Sequence, residues 1–512
     1  MPLGPGRREG RHGARTALGR RGEATYNAAV TATPIRFGTD GWRAVVADDF
    51  TYGNVRAVAQ AVAWYLAGDD RPVIVGHDTR YCAELFAREV ARVLAANGRS
   101  VLLLDGPAPT QVSSWTVVSR GASGGVVVTA SHNPPEFNGL KYKPDYGGSA
   151  SPEVVAELER LSARALEEGV TAMPFSEALE QGRVTMIDPL PEYTAQVARM
   201  VDLPRLRGAG LRILHEAMHG AGAGWIARLL AGGTTHVDEL HAERNPGFGG
   251  MHPEPIAQYM PEAMRLMRDS RYDLGIANDG DADRVGIVDE RGTFVNQLQV
   301  MALLCLYLLE RRGQRGALVR SLSTTCMVDR LGEIFGVPVH ELQVGFKYIG
   351  PRMTQTDALI GGEESGGFGF RGHLPERDGI LAGLMVAAMI VDYEQPLSAI
   401  LAHLEELVGP HAYARHDIAL EREGYAERKR EMYLRLGESP PRDLAGEQVV
   451  HIRSDDGFKF SLADGSWALV RFSGTEPLIR VYSEAPTDER VQQLLGALED
   501  FLGVRRTAGA SA

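Results

Sequence analysis

The chain has 512 residues, too many for a single core, so three or four domains are expected. Its formal charge of −12 argues against nucleic acid or an anionic membrane as the main partner, although grouped arginines can still bind a small phosphate. Three scattered cysteines, Cys82, Cys305 and Cys326, support neither a disulfide framework nor a CxxC zinc site and suit a reducing cytoplasm, while the longest apolar runs, 302–309 and 384–391, fall short of the ~18 residues of a membrane span.

Residues 1–32 are expected to form a disordered tail, because the first 22 carry six arginines and one glutamate among glycines, without the apolar core of a secretory signal. An Arg-rich targeting peptide is the weaker reading, given the early Pro and Gly residues and poor amphipathicity. Residues 33–170 read as a first α/β domain, with apolar runs at 73–75 and 101–104 around a helix-periodic stretch at 81–97. The run Val126-Val127-Val128 then delivers TASHNPPEFNGLK. A second α/β domain, 190–293, starts at 211–214, turns through the Gly-rich segment 219–224 into a helix, and ends with 274–277 feeding an aspartate loop. A third, 296–405, runs from a helix at 297–311 through apolar runs at 317–319 and 337–339 to 358–360, just before Gly361-Gly362-Glu363-Glu364-Ser365-Gly366-Gly367. Beyond about 410 the texture changes to a charged helical stretch ending near 436, a Pro-Pro break at 440–441 and short strands, suggesting a smaller α+β domain over 410–504.

Each domain thus ends a strand in a loop of unusual chemistry. Ser131 falls just past a strand, where open α/β sheets gather ligands; alone, such a serine is more often a turn residue. Asp279, Asp281 and Asp283, with Gly280 between, can turn three carboxylates toward one hard cation. An EF-hand is the rival, with Glu290 at the twelfth position, but Arg284 stands where that loop needs glycine. Three carboxylates leave Mg²⁺ undersatisfied, and a phosphorylated Ser131 would be the natural further donor. Arg471, Ser473, Gly474, Thr475 and Arg480 read as a phosphate nest, and Glu363 with Ser365 as readers of adjacent sugar hydroxyls. A hydrolase triad through His132 is disfavoured, since neighbours in an extended segment point opposite ways and no Gly-x-Ser-x-Gly elbow is present. A sugar kinase would need a nucleotide loop, and none of the Gly-x-x-x-x-Gly-Lys-Ser/Thr kind occurs. Only five lysines stand against 49 arginines, so Lys141, Lys143, Lys347 and Lys459, all near these loops, are candidates for specific roles.

Together these motifs resemble the α-D-phosphohexomutase family, which includes phosphoglucomutase and phosphomannomutase, from Phe37-Gly38-Thr39-Asp40-Gly41-Trp42-Arg43 to about Glu484. The resemblance implies an α/β fold of three similar domains plus a smaller C-terminal phosphate-binding domain around one central cleft. It implies Ser131 as a phosphoserine that also ligates Mg²⁺ with Asp279, Asp281 and Asp283, and Glu363 with Ser365 on the sugar. Arg471, Ser473, Gly474 and Thr475 would hold the non-reacting phosphate. Arg43, His132, Lys141, Arg284 and Lys347 match further active-site positions, Lys141 as a proton-transfer candidate. The implied reaction interconverts glucose 1-phosphate and glucose 6-phosphate through glucose 1,6-bisphosphate, with small-molecule hexose phosphates as partners and neither nucleic acid nor membrane. One departure is Gly367, where dual-specificity members often carry a histidine, and it favours glucose over mannose or glucosamine phosphates.

Overall fold

The computed structural model describes residues 34–38, 40–421, 423–472 and 477–504. The tail expected at 1–32, and Ser473, Gly474 and Thr475, lie outside the described residues. The chain beyond residue 34 builds four sheets in sequence order. In the first, Val73–His77, Val101–Leu104, Gly124–Val128 and Val184–Ile187 run parallel, and Phe137–Pro144, Gly41–Val45 and Phe37–Gly38 extend one edge antiparallel. Val73–His77 and Gly124–Val128 are buried at every position, as strands covered by helices on both faces must be, which is why they read as unbroken apolar runs. The intervening helix, Ala83–Ala96, turns Phe86, Val90, Val93 and Leu94 into the sheet.

The second sheet pairs Arg212–Glu216 in parallel with His236–Leu240 and with Leu274–Asn278, and the latter turns back antiparallel into Val285–Val288. In the third, Leu318–Ser321 lies parallel between Val339–Leu342 and Ile360–Gly362, with Phe368–Phe370 closing the edge. Two nearly all-apolar helices fill the shared core. Gln297–Leu306 starts at an Asn296/Gln299 capping box and continues into a π-helical turn, Tyr307–Arg311, and Gly379–Tyr393 is capped by Asp378. Both are buried, and among the described residues no single helix is long and apolar enough to cross a membrane.

The fourth sheet is wholly antiparallel, in the order Ala412–Ala419, Leu478–Ala485, Trp467–Phe472, Phe458–Leu462, Glu447–Arg453 and Asp443–Leu444. This corrects the helical reading of the stretch that begins at 410. A strand, Ala412–Ala419, comes first, and the helix is confined to Tyr425–Glu438. The strand escapes notice because Arg415, His416 and Asp417 interrupt its apolar pattern, and it is held by eight residues of pairing to Leu478–Ala485. Three of the four sheets send a strand's carboxyl end toward one place, where the loops after Val128, Asn278 and Gly362 meet.

Candidate active site

The serine loop is held by a guanidinium that sequence reading missed. Arg80 is completely buried beside Asp78 and donates to four main-chain carbonyls, those of Ser131, Asn133, Pro134 and Phe137. Asp78 in turn accepts from the Thr129 hydroxyl at 2.6 Å, and the Ser131 amide donates back to that hydroxyl at 2.9 Å. Under this restraint Ser131 adopts φ 52°, the left-handed conformation, which for a residue with a Cβ persists only where surroundings impose it. The segment is therefore not extended, and the expectation that His132 points away from Ser131 fails. Its Nδ1 lies 3.3 Å from the serine Oγ. A hydrolase triad still does not form. Burial and the nearby Arg284, Arg43 and Arg80 hold the His132 ring well below its ordinary pKa, and the serine hydroxyl donates to Asp279 Oδ2 at 2.7 Å instead.

That contact joins the serine to the aspartate loop. Asp279, Asp281 and Asp283 are fully buried, with one oxygen of each within 4.8 Å of the others. Gly280 makes the approach possible, since a Cβ there would lie 2.5 Å from the Ser131 carbonyl oxygen. The Arg284 amide donates to Asp279 Oδ1, and Thr110 donates to Asp281 Oδ2. Lys141 Nζ reaches Asp281 at 2.8 Å, Asp283 at 2.9 Å and Asp40 at 2.7 Å. Yet Asp281 Oδ1 and Asp283 Oδ1 are buried without a donor. Two orphaned carboxylate oxygens beside a third acid are what a hard divalent cation requires, so the loop can hold one. Burial and its two acidic neighbours push Asp279 well above the ordinary carboxyl range, which a cation would reverse. Burial opposes the charge on Lys141, but the three aspartates around it raise its pKa overall, so it is fixed as a cation.

Arg377, Asp40, Lys143 and Glu376 complete the buried charge cluster, and motif reading had singled out only Lys143. Arg377 bonds Asp40, reaches Asp283 at 3.0 Å, and lies 3.8 Å from Glu363; Lys143 pairs with Glu376 at 2.6 Å. Their signal was present but unassigned, as Asp40 within the first motif and as the charged run Glu376-Arg377-Asp378. Glu363 opens a tight hairpin closed by Gly366 and Gly367, and burial raises its pKa although Arg377 and Arg284 oppose this. A Cβ on Gly367 would fall 2.3 Å from Arg377 Cδ, so Arg377 fills the space a larger side chain would take. Glu364 binds Tyr413 and Arg415, tying the hairpin to the fourth sheet, and Ser365 is half-buried.

Arg43 donates to the Asn133 side chain beside the serine, and Arg284 pairs with Glu254 at 3.1 Å, so both belong to the cluster's rim. Lys347 does not join it. With Gln343, Arg352, Arg453 and Asp455 it lines a cavity of about 520 Å³. Arg471 and Arg480 stand opposite each other on adjacent strands and are paired with Asp456 and Asp417. The lysine at 459 is engaged within the protein. It bonds Glu341 and lies 4.6 Å over the Trp467 ring, tying the fourth sheet to the third.

Four family models match in order: Phosphoglucomutase/phosphomannomutase alpha/beta/alpha domain I over 34–168, domain II over 191–292, domain III over 296–407, and the C-terminal domain over 431–500. The chain belongs to this family. It is therefore a phosphohexomutase, an isomerase-type phosphotransferase of three similar α/β domains and a smaller fourth. Among its relatives, a "Probable phosphoglucosamine mutase" of Methanopyrus kandleri is 31% identical over 466 residues, covering 91% of this chain and 97% of the relative. A "Phosphoglucomutase/phosphomannomutase" of Thermococcus kodakarensis is 29% identical, covering 90% and 96%. The crystal structure of a "putative phosphomannomutase" from Thermus Thermophilus superposes with a TM-score of 0.81 at 34% identity, covering 92% of this chain and all of that one.

Proposed function

We propose that this phosphohexomutase is a phosphoglucomutase, with Ser131 as the phosphoryl carrier. The single observation that carries the mechanism is the Ser131 hydroxyl, fixed in a strained loop and hydrogen-bonded to a cluster of aspartates that can hold a divalent cation. Mg²⁺ bound by Asp279, Asp281 and Asp283 would neutralise charge on the transferring phosphoryl group. The protein's own part is positioning. Arg80 fixes the loop that carries Ser131, Asp279 orients the hydroxyl, and Lys141 holds a fixed positive charge beside the reacting group. In the reaction, the free hydroxyl of a hexose monophosphate attacks the phosphorus of phosphoserine 131, the P–O bond to Ser131 Oγ breaks, and the proton the hydroxyl gives up is balanced by the one Ser131 Oγ takes on. The resulting glucose 1,6-bisphosphate reorients, and its other phosphoryl group returns to the serine. Glu363 and Ser365 would read sugar hydroxyls in either orientation, with Arg43, His132 and Arg284 around the substrate. Arg471, Ser473, Gly474, Thr475 and Arg480 would grip the phosphate that does not react.

The glucose preference rests on Gly367, where Arg377 occupies the room a histidine would need. Relatives named for glucosamine phosphate favour a second reading, phosphoglucosamine mutase, and mannose 1-phosphate is a third candidate substrate. A panel of glucose, mannose and glucosamine 1-phosphates, each with a trace of its bisphosphate, separates them. Glucose 1-phosphate should turn over fastest, and a strong preference for glucosamine 1-phosphate would overturn the assignment.

A further inference from the structure

Beneath the aspartate loop lies a buried histidine whose partners leave it one protonation state. His215, with no exposed surface, is on the strand Arg212–Glu216, directly across from Glu239 on one neighbouring strand and next to the strand that ends in Asn278 on the other. Its Nδ1 is 3.0 Å from Glu239 Oε1, and its Nε2 is 3.1 Å from Asn278 Oδ1. The amide of Asn278 has no freedom to turn its nitrogen toward the ring. Asn278 Nδ2 donates to the Arg284 carbonyl at 2.8 Å, a bond that turning the amide over would replace with two facing oxygens. Both ring nitrogens therefore face acceptors. A neutral imidazole would set one of its lone pairs against an acceptor at hydrogen-bond distance, and on the Asn278 side, where ring and amide are both fully buried, solvent does not reach to relieve it.

The charged groups nearest the ring are acids. Glu239 also accepts from the Gly224 amide at 2.7 Å, and although burial works against its charge, the His215 hydrogen bond leaves its pKa below the ordinary value. Glu216, the next residue along and so on the opposite face of the strand, is bonded to His241, and burial raises its pKa. Arg228 is the cation that acts on Glu239.

We propose that His215 is an imidazolium strut and a positioning residue for the metal loop: it clamps Asn278, Asn278 closes the loop's base on Arg284, and the closed loop presents Asp279, Asp281 and Asp283 together. Asn278 and Arg284 flank the three aspartates in sequence, and the Arg284 amide donates back to Asp279 Oδ1, so the clamp acts on both ends of the loop. His215 itself touches neither substrate nor cation. The inference rests on reading the aspartate loop as a cation site, and its test separates the two ideas.

The experiment uses the full chain. Imidazole ¹⁵N spectra of histidine-labelled protein, with His215 assigned by its loss in His215→Gln, should show both ring nitrogens protonated at neutral pH; a neutral tautomer would overturn the strut. Mn²⁺ binding followed by electron paramagnetic resonance should weaken about tenfold in His215→Gln and further in His215→Leu, the lower end of what outer-sphere partners of metal ligands contribute. Turnover at saturating Mg²⁺ should recover to within a few-fold of wild type. Unchanged Mn²⁺ affinity in folded His215→Gln refutes the clamp while leaving the cation site intact. Failure of the wild type to bind Mn²⁺ refutes the cation reading itself, and the ring spectrum then still decides the protonation state.

Discussion

Arg80→Lys tests how the nucleophile loop is held, because it keeps the charge and removes the fork. The guanidinium has no exposed surface and satisfies four carbonyls that frame Ser131, while standing 3.3 Å from Asp78. An ammonium has three donors on a single nitrogen and cannot span that arc, so about two carbonyls would lose their partner. At about 1–3 kcal/mol for each buried acceptor, stability should fall by about 2–6 kcal/mol. Relaxation of the loop by about 1 Å would cost about a hundredfold in turnover, as misplaced reacting groups do. Arg80→Ala should be worse, because it also strands the Asp78 carboxylate, which burial holds at a pKa of about 6 even with Arg80 in place. Adding Asp78→Asn to Arg80→Ala should then restore part of the stability. The assay is a melting scan beside steady-state turnover and the fraction of enzyme carrying phosphate. An Arg80→Lys protein with wild-type melting and turnover would show that the arginine is packing alone.

Ser131→Ala should be nearly inactive yet folded, and intact-mass analysis should find part of the wild type heavier by one phosphate; a phosphate on another residue rules the assignment out. Asp281→Asn should lower turnover by about a thousandfold or more with little effect on melting, and EDTA should mimic it; activity persisting in metal-free buffer would make the loop structural. Glu363→Ala should impair all three hexose phosphates alike, whereas loss of glucose turnover with mannose turnover intact would contradict a shared sugar contact. For Glu341, burial opposes the charge but Arg320 and Lys459 hold the pKa at about 2 against 4.5 unperturbed. A depressed carboxyl pKa adds stability above the unfolded value, here about 3 kcal/mol, and loses it as pH falls from 4.5 toward 2. The stability gap between wild type and Glu341→Gln should thus close in acid, and a gap independent of pH would show the pair is inert.

What could be read in the sequence was whatever a single short segment determines. Unbroken apolar runs gave the parallel strands, because a strand buried on both faces has no polar alternation to keep. The alternate aspartates and the serine at a strand end were legible for the same reason, since their spacing alone directs them. Arg80, Asp40 and Arg377 were not, because each acts across the fold: Arg377 lies 337 positions from Asp40, which it binds. The backbone of Ser131 was misjudged because its left-handed conformation is imposed by Arg80 and Thr129 rather than by its own neighbours. The scarcity of lysine pointed to candidate roles but not to which group each lysine meets. Lys141, Lys143 and Lys459 are all buried and paired with acids, but only Lys141 touches the aspartates of the cation loop.

The buried charges also explain how one site can be assembled from loops of three sheets. Lys141 and Lys143 come from the first sheet, Asp283 from the loop between strands of the second, and Glu363, Glu376 and Arg377 from the third. Each ion taken from water costs several kcal/mol unless a partner meets it with good geometry. Here the partners of Arg377 lie in all three layers, through Asp40, Asp283 and Glu376. No layer can satisfy its own charges alone, so separating any one of them strands an ion in an apolar wall. Apolar packing can bring the sheets together in several registers, since dispersion is not directional. Ion pairs that close only in one docking are directional, and they select the arrangement in which the serine hydroxyl meets the aspartates.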